Sequence, residues 1–576
     1  MAPKGKAKPR ARSGVKQRLG ITKALREGAR RTVLGQFLVD SYRAGALTSH
    51  RFREGARAAS SSAGDVGALV SASLDNVRRR RDKEKPDTRH DARTVQRFLN
   101  KHAVLGTPYL AQVPMWDDSI GRQTMQNLKV YPPHETLDAL VGPGCEEEWG
   151  SFDESQGGFL RSLREWADRL HVTLAGNHWL CLALWGDSAP FNKRDSLYLL
   201  THRVLNGRHR RRVWIAALSK RYLCACGCYG RHTFDALFDI VAWSLRALLA
   251  GTWPHFDHQG RPFAESDWRY HKAGQPFRFR AALIAKCGDW AWHKQILGVR
   301  GWAGNLNCWL CESAMGERDF SVNAPWRNTT VDMATFLAAA FGGEQFLSRI
   351  FTVPGFDIAM VIPDWMHVVC LGILQYLEGN VMFECFIQLG GRVSNPNATC
   401  VRLMQMISVV ARDMGLEKPF STLTFSMIKQ ERKRPRMRLK ATEGRRLLPI
   451  LTGMLQRFFP ADNARALLRE QCCQALCRCY LELRGWSAES PRRLERAARQ
   501  HLLLYVQLGD LEEEGSLRWH LYPKHHLFVH VSVTDTNPAL MWNYGDEDEI
   551  GQAAALARRC NPKWLHVALL DKYRVM

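Results

Sequence analysis

No stretch of this 576-residue chain approaches the roughly 18 uncharged apolar residues of a membrane-spanning helix, so neither a span nor a membrane partner is expected. The first residues, MAPKGKAKPRARSGVKQR, lack the apolar run of a secretory signal. Acidic residues are scarce: 56 Asp and Glu stand against 81 Lys and Arg, leaving a net charge of +25. Such an imbalance calls for a polyanionic partner, and nucleic acid leads because Lys and Arg gain affinity by releasing counterions from phosphates. No internal repeat stands out. No second Cys-x-x-Cys follows Cys308-Trp-Leu-Cys311 at finger spacing, which excludes a self-contained zinc finger there.

What is present is unevenly placed. Residues 1–100 hold 24 Lys and Arg against 9 Asp and Glu, so more than half of the charge excess lies in the first sixth of the chain. Residues 1–20 read as a disordered basic arm, and Arg78, Arg79, Arg80 and Arg81 form a second basic run. Either run suits a nuclear address or a phosphate clamp as well as a solvated tail, and the expected location is nuclear. Sixteen cysteines without a secretory signal fit a reducing compartment, as buried apolar groups or metal ligands. The length predicts two to four structural units, and 45% hydrophobic content is enough for real cores.

Six segments follow from the patterning. After the arm, 21–106 reads as a basic helical region, broken by the small-residue run Ala58–Gly67, and 107–170 as a mixed linker region. From 171 to 329, HWLCLALWGD and RRVWIAALS read as strands, Phe234–Leu249 as a helix, and FRFRAALIAKCGDW as a further strand. Two of these strands end in Gly-Asp. This predicts an α/β core with carboxylates on a central sheet. Residues 330–515 read as a mainly α-helical insertion, with the basic run Arg432, Lys433, Arg434, Arg436, Arg438 and Lys440 between two helices. Residues 516–576 return to a metal-type cluster and end in helix.

The chemistry sits in three distant clusters. Cys308 and Cys311 have the spacing of half a zinc site, and His525-His526-x-x-x-His530 supplies the missing half. His526 and His530, four apart, share a helix face; His525 with His530 is the other pairing. Asp187 and Asp289 each follow an apolar run and a glycine, which would let the acid project from a strand end, although acids there also cap helices. Asp546-Glu547-Asp548-Glu549 follows the histidines, as a third acidic ligand or as a solvated loop. Three acids holding paired divalent cations suit a nuclease or strand-transfer enzyme. Cys224, Cys226 and Cys228 with His232 form another candidate metal group, whereas Cys472, Cys473, Cys477 and Cys479 read as core. The compact run Asp364-Trp-Met-His367-Val-Val-Cys370 has no chemistry derivable from spacing.

Asp187 in WGDSAPF, Asp289 in CGDWAWHKQILGVRGWAGNLNCWLC, DWMHVVCLG at 364–372, LKATEGRRLLP at 439–449, and KHHLFVH followed by DEDEIG resemble the CACTA-type DDE transposases. These are relatives of the catalytic subunit of the vertebrate antigen-receptor recombinase. The resemblance spans residues 170–555. It implies a ribonuclease-H-like core interrupted by a long helical insertion before the last acid. It further implies Asp187, Asp289 and Glu547 as catalytic ligands of Mg²⁺ or Mn²⁺, and Cys308, Cys311, His526 and His530 as a structural Zn²⁺ set. Asp546, Glu549 and Glu443 compete with Glu547 for the third position. The expected activity is phosphodiester cleavage and strand transfer on DNA, with a second copy of the chain as a further partner. The rival expectation is a domesticated, inactive nucleic-acid-binding protein that keeps the zinc.

Overall fold

The computed structural model describes residues 105–573, apart from 143, 145–148, 151–156, 175–177, 209–210, 307, 342–347 and 562–564. The basic arm, the basic region up to 104 and Arg78–Arg81 lie outside the described residues.

The described part of 107–170, expected as a mixed linker region, contributes strands and helices to the core. Strands β1 (Tyr109–Asp117) and β2 (Arg122–Val130) make an antiparallel hairpin, followed by helices α1 (Pro133–Leu140) and α2 (Gly157–Leu170). Alternation explains the hairpin: Ala111, Val113 and Met115 turn inward while Leu110 and Gln112 face out.

The central sheet contains β3 (His178–Pro190), β4 (Ser196–Val204), β5 (Val213–Ser219) and β6 (Phe279–Cys287), in the order β5-β4-β3-β6. β3, β4 and β5 are successively antiparallel, whereas β6 lies parallel to β3. A parallel neighbour needs a crossover. Helix α3 (Arg231–Ala250) lies in that crossover and packs on β6. β4, in SLYLLTHRV, escaped the sequence reading; its positions are nearly all buried, so it has no two-residue alternation to recognise. The chain is thus a mixed α/β protein with a small mixed sheet and many helices.

After β6 come α4 (Trp290–Leu297) and α5 (Met333–Phe341). A wide π-type turn at Met366–Ile373 then runs into α6 (Leu374–Gln388). Helices α7 (Asn397–Asp413), α8 (Ala441–Phe458), α9 (Ala464–Arg484) and α10 (Ser490–Asp510) complete the insertion. The stretch Met366–Gln388 is long and apolar enough to cross a membrane, but 83% of its most apolar window is buried inside the protein. Cys472, Cys473 and Cys479 are fully buried in α9. Three further helices bring the chain back to the sheet: α11 (Pro523–Ser532), α12 (Tyr544–Ala557) and α13 (Leu565–Tyr573). α12 packs on β3 and β4, and α13 on β5, where Tyr573 stacks on Trp214 with ring centroids 4.3 Å apart.

Candidate metal centres

The register of β3 and β6 pairs Trp185 with Cys287, so Asp187 and Asp289 sit two residues further along neighbouring parallel chains. Asp187 lies within β3 rather than at its end, which corrects the strand-end expectation. The glycines before the two acids also serve a purpose other than turning the chain. A Cβ on Gly186 would lie 2.1 Å from the Trp292 ring, and one on Gly288 would lie 2.5 Å from it. Both glycines admit that indole beneath the acids.

Glu547 enters from the first turn of α12. Ligand atoms of Asp187, Glu547 and His367 all lie within 4.8 Å of one another. Asp289 stands beside this group rather than inside it: its Oδ1 accepts from Trp292 N–H at 2.6 Å, capping α4, yet its charge acts on Asp187, Glu547 and His367. Burial, then the charges of Asp289 and Glu547, push Asp187 up to about 8. Burial raises Glu547 as well, and its Oε1 is buried without a hydrogen-bond partner. Gathered carboxylates with an orphaned oxygen form a donor set that fits a hard divalent cation.

The phase of α12 distinguishes the neighbouring acids. Asp546 is fully buried, with Oδ1 2.8 Å from Arg212 Nε and Oδ2 3.6 Å from Arg203 Nη1. Glu549 Oε2 accepts from Trp214 Nε1 at 2.9 Å, and Asp548 is exposed. Glu443 caps α8 by accepting from Lys440 N–H at 2.8 Å. Among these competitors, only Glu547 joins the cluster around Asp187.

Three further residues of this centre have no role in the sequence reading. His367 Nδ1 lies 2.7 Å from Asp364 Oδ2, and its Nε2 lies 3.7 Å from Glu547 Oε1. Burial opposes its charge, but Asp364, Glu547 and Asp289 outweigh that and raise it to about 9. Lys286 is fully buried and donates to Cys287 O at 2.8 Å; burial pushes it down to about 7. A charge inside the apolar run AALIAKC was the available signal. Lys524 reaches through the π-type turn to donate to His367 O at 2.7 Å. A Cβ on Gly372 would lie 2.7 Å from the Lys524 chain, so glycine opens that path. Beside the acids lies a cavity of about 350 Å³, lined in part by Asp289, His367, Arg436, Lys524 and the stacked rings of Tyr376 and Tyr522.

The Cys/His cluster lies at a second place. Cys311 Sγ is 3.1 Å from His526 Nε2 and 3.4 Å from His530 Nε2, while Cys308 Sγ is 3.4 Å from His530 Nε2. The two Nε2 atoms are 3.0 Å apart. Zinc with Zn–S near 2.3 Å and Zn–N near 2.0 Å would give tetrahedral edges of about 3.3–3.8 Å, so modest expansion admits the ion. Leu310 N–H donates to Cys308 Sγ at 3.3 Å, and Arg300 Nη1 holds the Cys308 and Cys311 carbonyls at 3.3 and 3.4 Å. This cluster can bind zinc. His525 turns away: its Nδ1 accepts from Tyr522 N–H at 2.9 Å and its ring packs 4.7 Å from Tyr505.

The run at 432–440 opens in a turn, with Arg432 at φ 54°, and residues 434–440 then lead into α8 without regular secondary structure. Pro435, Met437 and Leu439 are buried, while Arg432, Lys433, Arg434, Arg436, Arg438 and Lys440 are exposed. Hydrogen bonds from Met437 N to Gln375 O at 2.8 Å and from Arg438 N to Met427 O at 2.9 Å hold it in place. Through Arg436, this basic strip reaches the cavity beside Asp289. The chain matches no family model and no curated protein.

Proposed function

We infer that the chain is a DDE-transposase-like enzyme that cleaves DNA phosphodiesters and transfers strands, working on a ribonuclease-H-like core. One observation carries the reading. Asp187 on the sheet and Glu547 beyond the helical insertion put carboxylate oxygens within 4.8 Å of each other, with Asp289 on the adjoining chain. That is the order of acids expected of such a core with a long insertion before the last one.

Asp187, Asp289 and Glu547 would hold Mg²⁺ or Mn²⁺, and the Cys/His cluster would hold Zn²⁺. When bound, paired divalent cations activate the attacking oxygen of water or a DNA 3′-hydroxyl and stabilise the leaving oxygen. His367, fixed by Asp364, orients Glu547 and shields it from the neighbouring acids. Arg436 and Lys524 supply positive charge along the cavity wall for the DNA backbone, and the exposed strip at 432–440 extends that charge outward. The Cys/His cluster ties α11, and hence the chain leading to Glu547, to the segment that follows Asp289. DNA is the partner this reading requires, in the nucleus, with a second copy of the chain to engage paired ends.

A second reading, a nucleic-acid-binding protein without cleavage, draws on Asp289, whose Oδ1 already serves as a helix cap. Incubating the full chain with supercoiled DNA and Mn²⁺ separates the two. Nicking that disappears in Glu547→Gln supports the enzyme. Salt-sensitive binding with no nicking, even with candidate element ends supplied, supports the binder.

A further inference from the structure

The segment between β5 and α3 carries a second Cys/His group that the proposed reaction does not use. Cys224, Cys226, Cys228 and His232 bring their ligand atoms within 4.8 Å of one another. Cys224 Sγ lies 3.3 Å from Cys226 Sγ and 3.5 Å from His232 Nδ1, and Cys226 Sγ lies 3.4 Å from that nitrogen. These separations approach the edges, about 3.3–3.8 Å, of a tetrahedron around one zinc ion. The thiols do not owe their proximity to a strand, since the segment is a loop that doubles back on itself. Gly227, Tyr229 and Gly230 have φ of 99°, 54° and 85°, and Gly230 N–H and Arg231 N–H return to the carbonyls of Cys224 and Cys228 at 3.0 Å. Left-handed backbone at Tyr229 is costly for a residue with a side chain, and a ligand gathering the loop would offset that cost.

A second element closes on the same point. Gln123, at the start of β2, places Oε1 2.9 Å from Cys224 Sγ and 3.0 Å from His232 Nδ1. Thr233 Oγ1 donates to Pro114 O at 2.6 Å, and Arg221 pairs with Asp118 at 3.0 Å, so the hairpin already rests on this loop.

We propose that Cys224, Cys226, Cys228 and His232 bind a second structural zinc ion that fastens the β1–β2 hairpin to the edge of the central sheet. Three soft sulfur donors with one imidazole select a thiophilic d¹⁰ cation over Mg²⁺ or Ca²⁺. Thiolate ligation releases thiol protons to solvent. The Gln123 amide then turns its NH₂ toward a thiolate and serves as an outer partner. This zinc is independent of the cleavage reaction and of the Cys308 cluster.

The test is zinc counting by native mass spectrometry on the full chain, purified under reducing conditions with zinc supplied. Two ions per wild-type chain are expected, and one in Cys226→Ser. Cys226 is exposed, so its replacement leaves the core closed. His232→Ala, also at an exposed position, should likewise hold one ion. Hydrogen exchange in residues 117–124 should rise in both variants as the hairpin loosens. Whatever the wild-type count, a count unchanged in both variants overturns the proposal. A Cys224–Cys226 disulfide in place of metal would overturn it equally. Loss of DNA cleavage with two zinc ions still bound would count against the proposed function alone.

Discussion

Asp364 fastens His367 with one carboxylate oxygen and the helix carrying Glu547 with the other. Its Oδ2 lies 2.7 Å from His367 Nδ1, and its Oδ1 accepts from Asn543 N–H at 3.0 Å. Asn543 O in turn accepts from Glu547 N–H at 2.8 Å. A motif from the insertion therefore sets where the last acid stands. Replacing Asp364 with Asn should weaken both the charged form of His367, which the carboxylate stabilises, and the start of α12. We expect Mn²⁺ affinity to fall by about 10–100-fold, the usual effect of losing an outer partner. Titration calorimetry with Mn²⁺ checks this. Unchanged affinity in both Asp364→Asn and His367→Ala would remove His367 from the centre.

The acid cluster predicts proton release when a cation binds. Asp187 is raised from the ordinary 3.8 to about 8, so between those values the metal-free folded chain binds more protons than the unfolded one. Its contribution to metal-free stability is therefore present at low pH and lost as pH rises toward 8. A divalent cation must displace that proton, so apparent affinity should increase about tenfold per pH unit between pH 6 and 8. Calorimetry in buffers of different ionisation enthalpy measures the released proton directly. A pH-independent affinity would remove Asp187 from the ligand set.

Legibility differed between the two centres for a physical reason. The candidate zinc cluster is built from two short-range pairs, Cys308 with Cys311 and His526 with His530, and each pair was visible as spacing. The choice between His525 and His526 was not, because it depends on the phase of α11 against Tyr505 and Tyr522. The same holds for Glu547 among its neighbours: Arg212, just before β5, and Trp214, within it, draw Asp546 and Glu549 toward the sheet. Lys286 shows as a charge inside an apolar run, whereas Lys524 takes its role from His367, 157 residues away, which no local pattern encodes. The α/β character could be read from apolar runs ending in Gly-Asp. β4 could not, being uniformly buried, nor could the hairpin, whose β2 strand RQTMQNLKV is mostly polar.

Zinc removal should unfold more than the cluster itself. Cys308 and Cys311 lie beyond the sheet strands, whereas His526 and His530 lie on α11, more than 200 residues away. Their shared ion would hold a long-range closure, and structural zinc binding is folding free energy. Cys308→Ser should lose one zinc and lower the melting temperature by on the order of 10 °C. His525→Ala should keep the zinc count, since its ring faces Tyr505. Equal zinc loss in both variants would reverse the assignment of the histidines.

The strip at 432–440 should govern the salt dependence of DNA binding. Arg432, Lys433 and Arg438 are exposed, so replacing them with Gln should change stability by no more than about 1 kcal/mol. Each lost phosphate contact reduces the log–log salt slope by about 0.9, so the triple variant should lose two to three units. An unchanged slope would place the DNA elsewhere on the protein.

Asp289 offers the sharpest separation of chemistry from structure. Its Oδ1 caps α4, so Asp289→Ala removes a cap worth about 1 kcal/mol together with any metal ligand, and its loss of activity would be ambiguous. Asn caps about as well as Asp but carries no charge. Asp289→Asn should therefore melt close to wild type while losing Mn²⁺-dependent cleavage of supercoiled DNA by at least about 100-fold, as removal of a ligand from a two-cation site would cause. Asp187→Asn and Glu547→Gln should show the same loss. If Asp289→Asn keeps its melting temperature and cuts as well as wild type, Asp289 is a helix cap only, and the cluster is reduced to Asp187, His367 and Glu547. If Asp187→Asn and Glu547→Gln also cut normally, the carboxylates are not the seat of the reaction.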